Sequence, residues 1–378
     1  MHACGAPLAD GLLVGNALRC PWHHACFSLR TGKNLRPPAP NPISCWRVEQ
    51  RDGSRHAYDA LFLATGTEPI GLTVAGGNLR HAHYWRTLAD SRAVVSKAPA
   101  SRRAIVIGAS FIGLEAAASL EVATSLRARE VGTRVVAPET VPVEKILGAD
   151  VGTFIRELHE RNGVGFRLGT TVIPIDKHSV RLENGETLQA DLVVVGIGVR
   201  PMIALAEQLG LATDRGIAVD EYLETNIPRI FAAGDIARWP GRLTGEHIRV
   251  EHRVVTERPG QTAARTMPGR REPFAAAPFL WTEQYDFRLA YVGHAERWDR
   301  AKIGGKLDPE TQDCAITCRR NGKALTMAFM HGDLEGLRAE VEFEKTIATP
   351  EQPCLALHRA AAGAISKDAH RDREIQSR

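Results

Sequence analysis

Between residues 101 and 214 the chain alternates short β-branched runs with longer stretches of helix-forming residues. Ala104-Ile105-Val106-Ile107 is an apolar run that stops on a glycine, the length and composition of a buried strand. From Gly113 onward the sequence is rich in Ala, Leu, Glu and Arg and free of proline, which predicts a helix. Arg134-Val135-Val136-Ala137 predicts a second strand. Asp150 is placed to cap a helix that carries Phe154, Ile155 and Leu158 on one face and stops at Asn162-Gly163. Leu192-Val193-Val194-Val195 predicts another buried strand, and Pro201 to Leu209 a helix closed by Gly210. Strands alternating with helices imply βαβ units around a parallel sheet, so the fold class is α/β. On either side the pattern weakens. Leu61 to Ala64 reads as one strand before a Gly/Pro-rich loop, and residues 215–345 mix short strands with a helix-like stretch near Thr262–Met267. The tail from Arg359 is small, polar and charged, and is expected to be disordered.

The first strand and helix are joined by Gly108-Ala109-Ser110-Phe111-Ile112-Gly113. Gly108 permits a tight turn, Gly113 lets the helix pack closely, and backbone N–H groups at the helix start can meet a pyrophosphate. The middle glycine of the usual pattern is Ser110. Glu139 closes the second strand, where a carboxylate can accept from ribose hydroxyls and repel a 2′-phosphate, which favours NADH over NADPH. Glu139 lies 31 positions after Gly108, against roughly 20 to 25 in the motif. The excess comes from a near-repeat, Leu114–Ser119 followed by Leu120–Ser125. Six residues rotate an apolar stripe by roughly 240°, a shift that threatens the register of the second strand.

Length and charge narrow the class. At 378 residues the chain exceeds what one hydrophobic core serves, so two or three domains are expected. A net charge of +4 with 6% aromatics and no basic run argues against nucleic-acid binding. The longest apolar stretch, Leu192 to Val199, is far from the ~20 residues of a membrane span. No secretory pattern opens the sequence, so a cytoplasmic protein is expected, with its seven cysteines as thiols or metal ligands. Four of these, Cys4, Cys20, Cys26 and Cys45, fall in the first 50 residues beside His2, His23 and His24. That clustering makes metal ligation the chemistry to test there.

Several motifs occur in a fixed order: Ala64-Thr65-Gly66-Thr67-Glu68-Pro69, then Gly108 to Glu115, then Gly196-Ile197-Gly198-Val199-Arg200-Pro201, then Thr225-Asn226-Ile227-Pro228 and Phe231-Ala232-Ala233-Gly234-Asp235. The order resembles the FAD-dependent pyridine-nucleotide oxidoreductases, and most of all the NADH-dependent ferredoxin and rubredoxin reductases and the apoptosis-inducing-factor-like proteins with a Rieske domain. The resemblance implies Rossmann-like dinucleotide-binding domains, a C-terminal α+β reductase domain, and electron flow from NADH through FAD to an iron–sulfur carrier. It places Gly108, Ser110, Gly113, Glu115, Glu139 and Gly198 at NAD, and Thr65, Gly66, Gly234, Asp235, His252 and Trp281 at FAD. No acid or base catalyst is required, because the cofactors carry the redox chemistry. No C-x2-C or C-x4-C pair exists, which discounts the branch with a redox disulfide. The implied partner is a ferredoxin- or rubredoxin-like carrier, and a homodimer is compatible with the resemblance.

Cys20-Pro21-Trp22-His23, with Thr31-Gly32 after it, resembles the second ligand loop of a Rieske [2Fe–2S] domain, which gives Cys20 and His23 as a thiolate and an imidazole ligand. The first pair would fall on Met1 and Ala3, which cannot ligate; His2 and Cys4 stand one residue along in reversed order. The N-terminal part therefore reads as a small all-β Rieske-like remnant. The implied domains are residues 1–52, a partial FAD domain from 53–100 and 215–272, an NAD domain from 101–214, a reductase domain from 273–345, and the tail from 346. One part has no place: the strand Cys45–Gln50 runs through Asp52-Gly53 directly into Tyr58–Leu61, leaving no glycine turn for the FAD pyrophosphate. A reductase impaired by that loss and a non-enzymatic NAD-binding remnant are both open. A stand-alone Rieske carrier is a third reading, with an incomplete ligand set.

Overall fold

In a computed structural model, the described residues are 12–14, 16–19, 26–28, 34–36, 59–125, 132–308, 314–348 and 373–376. The chain forms two compact units, Met1–Asp59 and Ala60–Arg378. In the first, the strands Leu12–Val14, Ala17–Arg19, Cys26–Ser28 and Asn34–Arg36 pair as an antiparallel meander, with a register shift between Cys26 and Phe27. The strand expected at Cys45–Gln50 lies outside the described residues.

The second unit is built on a five-stranded parallel sheet. Its order is Gly165–Leu168, Gly132–Ala137, Arg103–Ile107, Leu192–Val195, Ala82–Tyr84. Ile105, Val106, Val135, Val136, Val193 and Val194 are fully buried, as strands covered on both faces must be. The register between Arg103–Ile107 and Gly132–Ala137 is unbroken, so the repeat does not disturb it. The reason lies in the helix Phe111–Ser125. Its 240° offset turns Leu114 into a core shared with Phe287 and Leu289, while Leu120 packs with Val106 and Val135 beneath the sheet. One helix buries two faces, and the repeat supplies a leucine for each.

A second, two-stranded parallel pair joins Leu61–Leu63 to Ile230–Ala232, so residues far apart in sequence end side by side at Thr65-Gly66 and Gly234-Asp235. The C-terminal part is an antiparallel sheet of Phe279–Gln284, Phe287–Gly293, Lys323–Met330, Cys314–Arg320, Arg300–Gly305 and Arg373–Gln376. The helix Asp333–Ala348 packs on it, burying Phe343. In the tail, expected to be disordered, Arg373–Gln376 pairs with Arg300–Ile303 as the edge strand. Cys314 and Cys318 are buried thiols of this sheet, and burial pushes Cys318 up to about 11, far from a reactive thiolate.

Four local expectations are corrected. Asp150 sits in the first turn of the helix Ala149–Arg161, whose cap is Gly148; the acid faces the helix dipole but does not close it. Val199–Pro201 pairs as a strand with Thr67–Pro69, and the helix is only Ala204–Gln208. Proline at that point lies at a sheet edge, where its missing N–H costs no ladder bond. The helix near Thr262 begins at Arg253 and runs through Pro259. Buried Val255, Thr262, Ala263 and Thr266 hold it on both sides of the proline, and Arg258 ties it to the buried Glu340 of the helix Asp333–Ala348. The strand expected over Leu61–Ala64 stops at Leu63, because the chain turns toward Gly66.

Candidate functional site

Both candidate nucleotide turns stand at the carboxyl ends of parallel strands, where open α/β sheets bind ligands. Gly108 adopts φ +112°, and a Cβ there would stand 2.3 Å from the Gly196 carbonyl oxygen. At Gly113 a Cβ would stand 2.1 Å from the carbonyl oxygen of Gly108. The last glycine of the motif is therefore required by the turn itself. Packing against the neighbouring strand falls to Gly196, whose Cβ would meet Gly113 at 3.1 Å. Ser110 is exposed at the helix start. Glu139 follows the second strand, with Lys145 at 3.8 Å. A Cβ at Gly198 would stand 3.6 Å from the exposed Ile70 side chain, so this strand end is apolar and open to a flat ring.

Glu115 sits near the start of the dinucleotide helix. It is half-buried and accepts a 2.5 Å hydrogen bond from the Thr282 hydroxyl, and burial raises its carboxyl. It joins the dinucleotide helix to the C-terminal sheet.

The second group converges on Asp235. Its carboxylate accepts from the Thr67 hydroxyl at 3.0 Å and from Arg86 at 3.1 Å. Thr65 donates to the Met202 carbonyl, which fixes the loop. Open space lies over both Gly66 and Gly234, so a ligand can reach the backbone at either strand end. His252 meets Trp281 edge to face, with centroids 4.8 Å apart, and Trp281 is 43% exposed. The His252 Nδ1 is buried and without a hydrogen-bond partner, although burial pushes the ring down to about 4 and keeps it neutral. A buried nitrogen left unsatisfied next to an exposed indole fits a polar aromatic group bound against them. The Glu251 carboxyl is raised by desolvation, against the pull of Arg249.

The residues present thus fit NADH on the Gly108–Gly113 turn and the ribityl and ring portion of FAD at Asp235, His252 and Trp281. Among the described residues, one strand–glycine turn–helix unit of this kind occurs. Cys20, His23, His2 and Cys4 lie outside the described residues. The roles of Arg86, Thr67 and Gly196 escaped the sequence reading, because they come from contacts with residues up to 168 positions away.

His252 and His159, the latter fully buried and also pushed down to about 4, make a common prediction. Their folded values lie below the ordinary 6.5, so the unfolded chain takes up more protons as pH falls from 6.5 to 4. Stability contributed by the two rings is complete above pH 6.5 and is lost across that window, by roughly 3 kcal/mol per ring at its acid end. Urea midpoints at pH 7 and pH 5 check the sign; an unchanged or higher midpoint at pH 5 contradicts it.

Comparison with known proteins gives two family matches: pyridine nucleotide-disulphide oxidoreductase over residues 40–261, and Rieske [2Fe-2S] domain over residues 2–47. The chain is 35% identical over 317 residues to putidaredoxin reductase of Pseudomonas putida, covering 80% of this chain and 74% of that protein. It is 37% identical over 256 residues to the ferredoxin–NAD(+) reductase component of the anthranilate 1,2-dioxygenase system of Burkholderia cepacia, covering 65% of this chain and 60% of that one. Its fold matches the covalent putidaredoxin reductase–putidaredoxin complex with a TM-score of 0.72 at 29% identity, over 82% of this chain and 76% of that one. No helix of the described residues is long and apolar enough to cross a membrane.

Proposed function

Because the chain belongs to the pyridine nucleotide-disulphide oxidoreductase family, we propose that it is an NADH-dependent flavoprotein reductase passing electrons through FAD to a ferredoxin- or rubredoxin-like carrier. FAD supplies the conversion of a two-electron hydride into single electrons. The carrying observation is the pairing of two sites in one unit: the Gly108–Gly113 turn with Glu139, and the Asp235, His252 and Trp281 cluster. Gly108, Ser110 and Gly113 hold the pyrophosphate of NADH, Glu139 its ribose, and Gly198 and Glu115 the ring end. Thr65, Gly66, Gly234 and Asp235 hold the FAD ribityl chain, with His252 and Trp281 beside the ring. His252 stays neutral near pH 7, so it orients without adding charge. A cytoplasmic setting and the domain boundaries given above complete this reading. A Rieske-type [2Fe–2S] site with Cys20 and His23 among its ligands is the further electron site that the Rieske match supports.

That the described residues hold one strand–glycine turn–helix unit of this kind favours a second reading, an NAD-binding protein that holds FAD weakly or not at all. Calorimetric titration with each nucleotide separates the two: stoichiometric FAD binding supports the reductase, and NADH binding alone supports the remnant.

The ribose assignment makes its own prediction. Glu139→Ala lowers NADH affinity by about 3- to 10-fold, as loss of a partly exposed charged hydrogen bond does. It raises NADPH affinity, because Lys145 is then freed toward a 2′-phosphate. Unchanged affinities for both nucleotides would refute the placement.

A further inference from the structure

Four hydrogen bonds run from the C-terminal sheet into the dinucleotide helix. Tyr285 Oη lies 3.3 Å from His159 Nδ1, and His159 Nε2 lies 2.7 Å from Gln284 Oε1. Gln284 Nε2 donates to Thr282 Oγ1 at 3.2 Å, and Thr282 donates to Glu115 Oε1 at 2.5 Å. His159, Thr282 and Gln284 are all buried, so no water can substitute for a missing partner.

With Gln284 Oε1 turned toward His159 and its NH2 toward Thr282, the inventory of donors and acceptors sets the direction of every bond. An amide oxygen only accepts, so His159 Nε2 carries the ring proton. The neutral ring then accepts at Nδ1, and Tyr285 must donate to it. Gln284 has spent its oxygen on His159, so its NH2 faces Thr282, whose own proton is left for Glu115. An ionised carboxylate accepts that proton's hydrogen bond and donates nothing. All four donors therefore point the same way, toward Glu115, and bonds so aligned strengthen one another.

We propose that Gln284, His159 and Tyr285 are positioning residues that act through Thr282 to hold Glu115 ionised and in one orientation at the NADH site. The proposal rests on the cofactor reading above. It couples the flavin-side strand Phe279–Gln284, which carries Trp281, to the helix that opens at the nucleotide turn. The groups around Glu115 set the sign. Burial and the Glu283 charge raise its carboxyl, and the Thr282 hydrogen bond opposes both. At the far end, burial, with the Glu121 charge second to it, holds the Tyr285 phenol protonated, as its role of donor requires.

Two measurements on the full chain test this. The first needs no cofactor: ¹⁵N-histidine NMR, with the His159 signal identified by its loss in His159→Gln. A neutral Nε2–H tautomer throughout pH 5–8 is expected; an Nδ1–H tautomer or a cationic ring at pH 7 overturns the chain of bonds. The second is NADH affinity against pH. Protonated Glu115 no longer offers an anion to the donors of NADH, so affinity falls on the acid side. Thr282→Val removes the opposing hydrogen bond and moves that fall upward by about one to two pH units. Gln284→Glu draws the Thr282 proton away and moves it in the same direction, whereas Thr282→Ser restores the original profile. Superimposed profiles for Thr282→Val, Gln284→Glu and the unaltered chain overturn the proposal while leaving NADH binding intact. Absence of NADH binding by the unaltered chain overturns the coupling together with the cofactor reading, and the histidine spectrum tells that result apart.

Discussion

Gly113→Ala is expected to abolish measurable NADH binding, with a loss of at least about 100-fold, equivalent to roughly 3 kcal/mol. The added methyl would stand 2.1 Å from the Gly108 carbonyl oxygen, a backbone atom that cannot swing aside as a side chain can. Gly108 is itself pinned, since its own Cβ position is 2.3 Å from the Gly196 carbonyl. The turn can relieve the clash only by opening, which moves the helix-start N–H groups away from the pyrophosphate. The fold pays less: the clash lies at the site and not in a hydrophobic core, so about 1–3 kcal/mol of stability is expected to go. Calorimetric titration read beside a urea melt separates the two losses. Full NADH affinity in a folded Gly113→Ala protein would show that this turn is not the nucleotide site.

Phe287→Ala should cost more stability than any change at the surface, about 3–5 kcal/mol. Phe287 is fully buried and packs against Phe154 with ring centroids 5.5 Å apart. It belongs to a cluster that draws Leu114 from the dinucleotide helix, Ile155 and Leu158 from the next long helix, and Leu289, Tyr291 and Ile316 from the C-terminal sheet. The nucleotide fold and the reductase sheet therefore share one core. Removing the ring should lower the melting temperature by roughly 6–12 °C and keep a single transition. A normal melting temperature, or separate unfolding of the nucleotide fold and the reductase sheet within Ala60–Arg378, would show that the two parts are independently stable.

The nucleotide half was legible in the sequence for a physical reason. Strands buried on both faces must be uninterrupted apolar runs, and a turn that meets a pyrophosphate must spend glycines at fixed spacing. Ile105–Gly108 and Val193–Gly196 carry both signals within a few residues. The repeat in the dinucleotide helix misled, because local periodicity cannot show that a second core waits on the other face. Leu114 and Leu120 each find one. Pro201 misled differently, since it ends a short strand paired with Thr67–Pro69 and does not open the helix that follows. The site residues that escaped the sequence are those paired across the fold. Arg86 with Asp235, Thr282 with Glu115, and Gln284 with His159 are matched only by tertiary packing.

The central claim is that one chain carries both an NADH site and a flavin site. Its most direct test is the visible spectrum of the purified full chain supplied with FAD and freed of unbound nucleotide, recorded anaerobically before and after NADH. The account predicts stoichiometric flavin bands that bleach on addition of NADH and return on addition of an electron acceptor. A folded protein that stays colourless, or whose flavin bands ignore NADH, would contradict it.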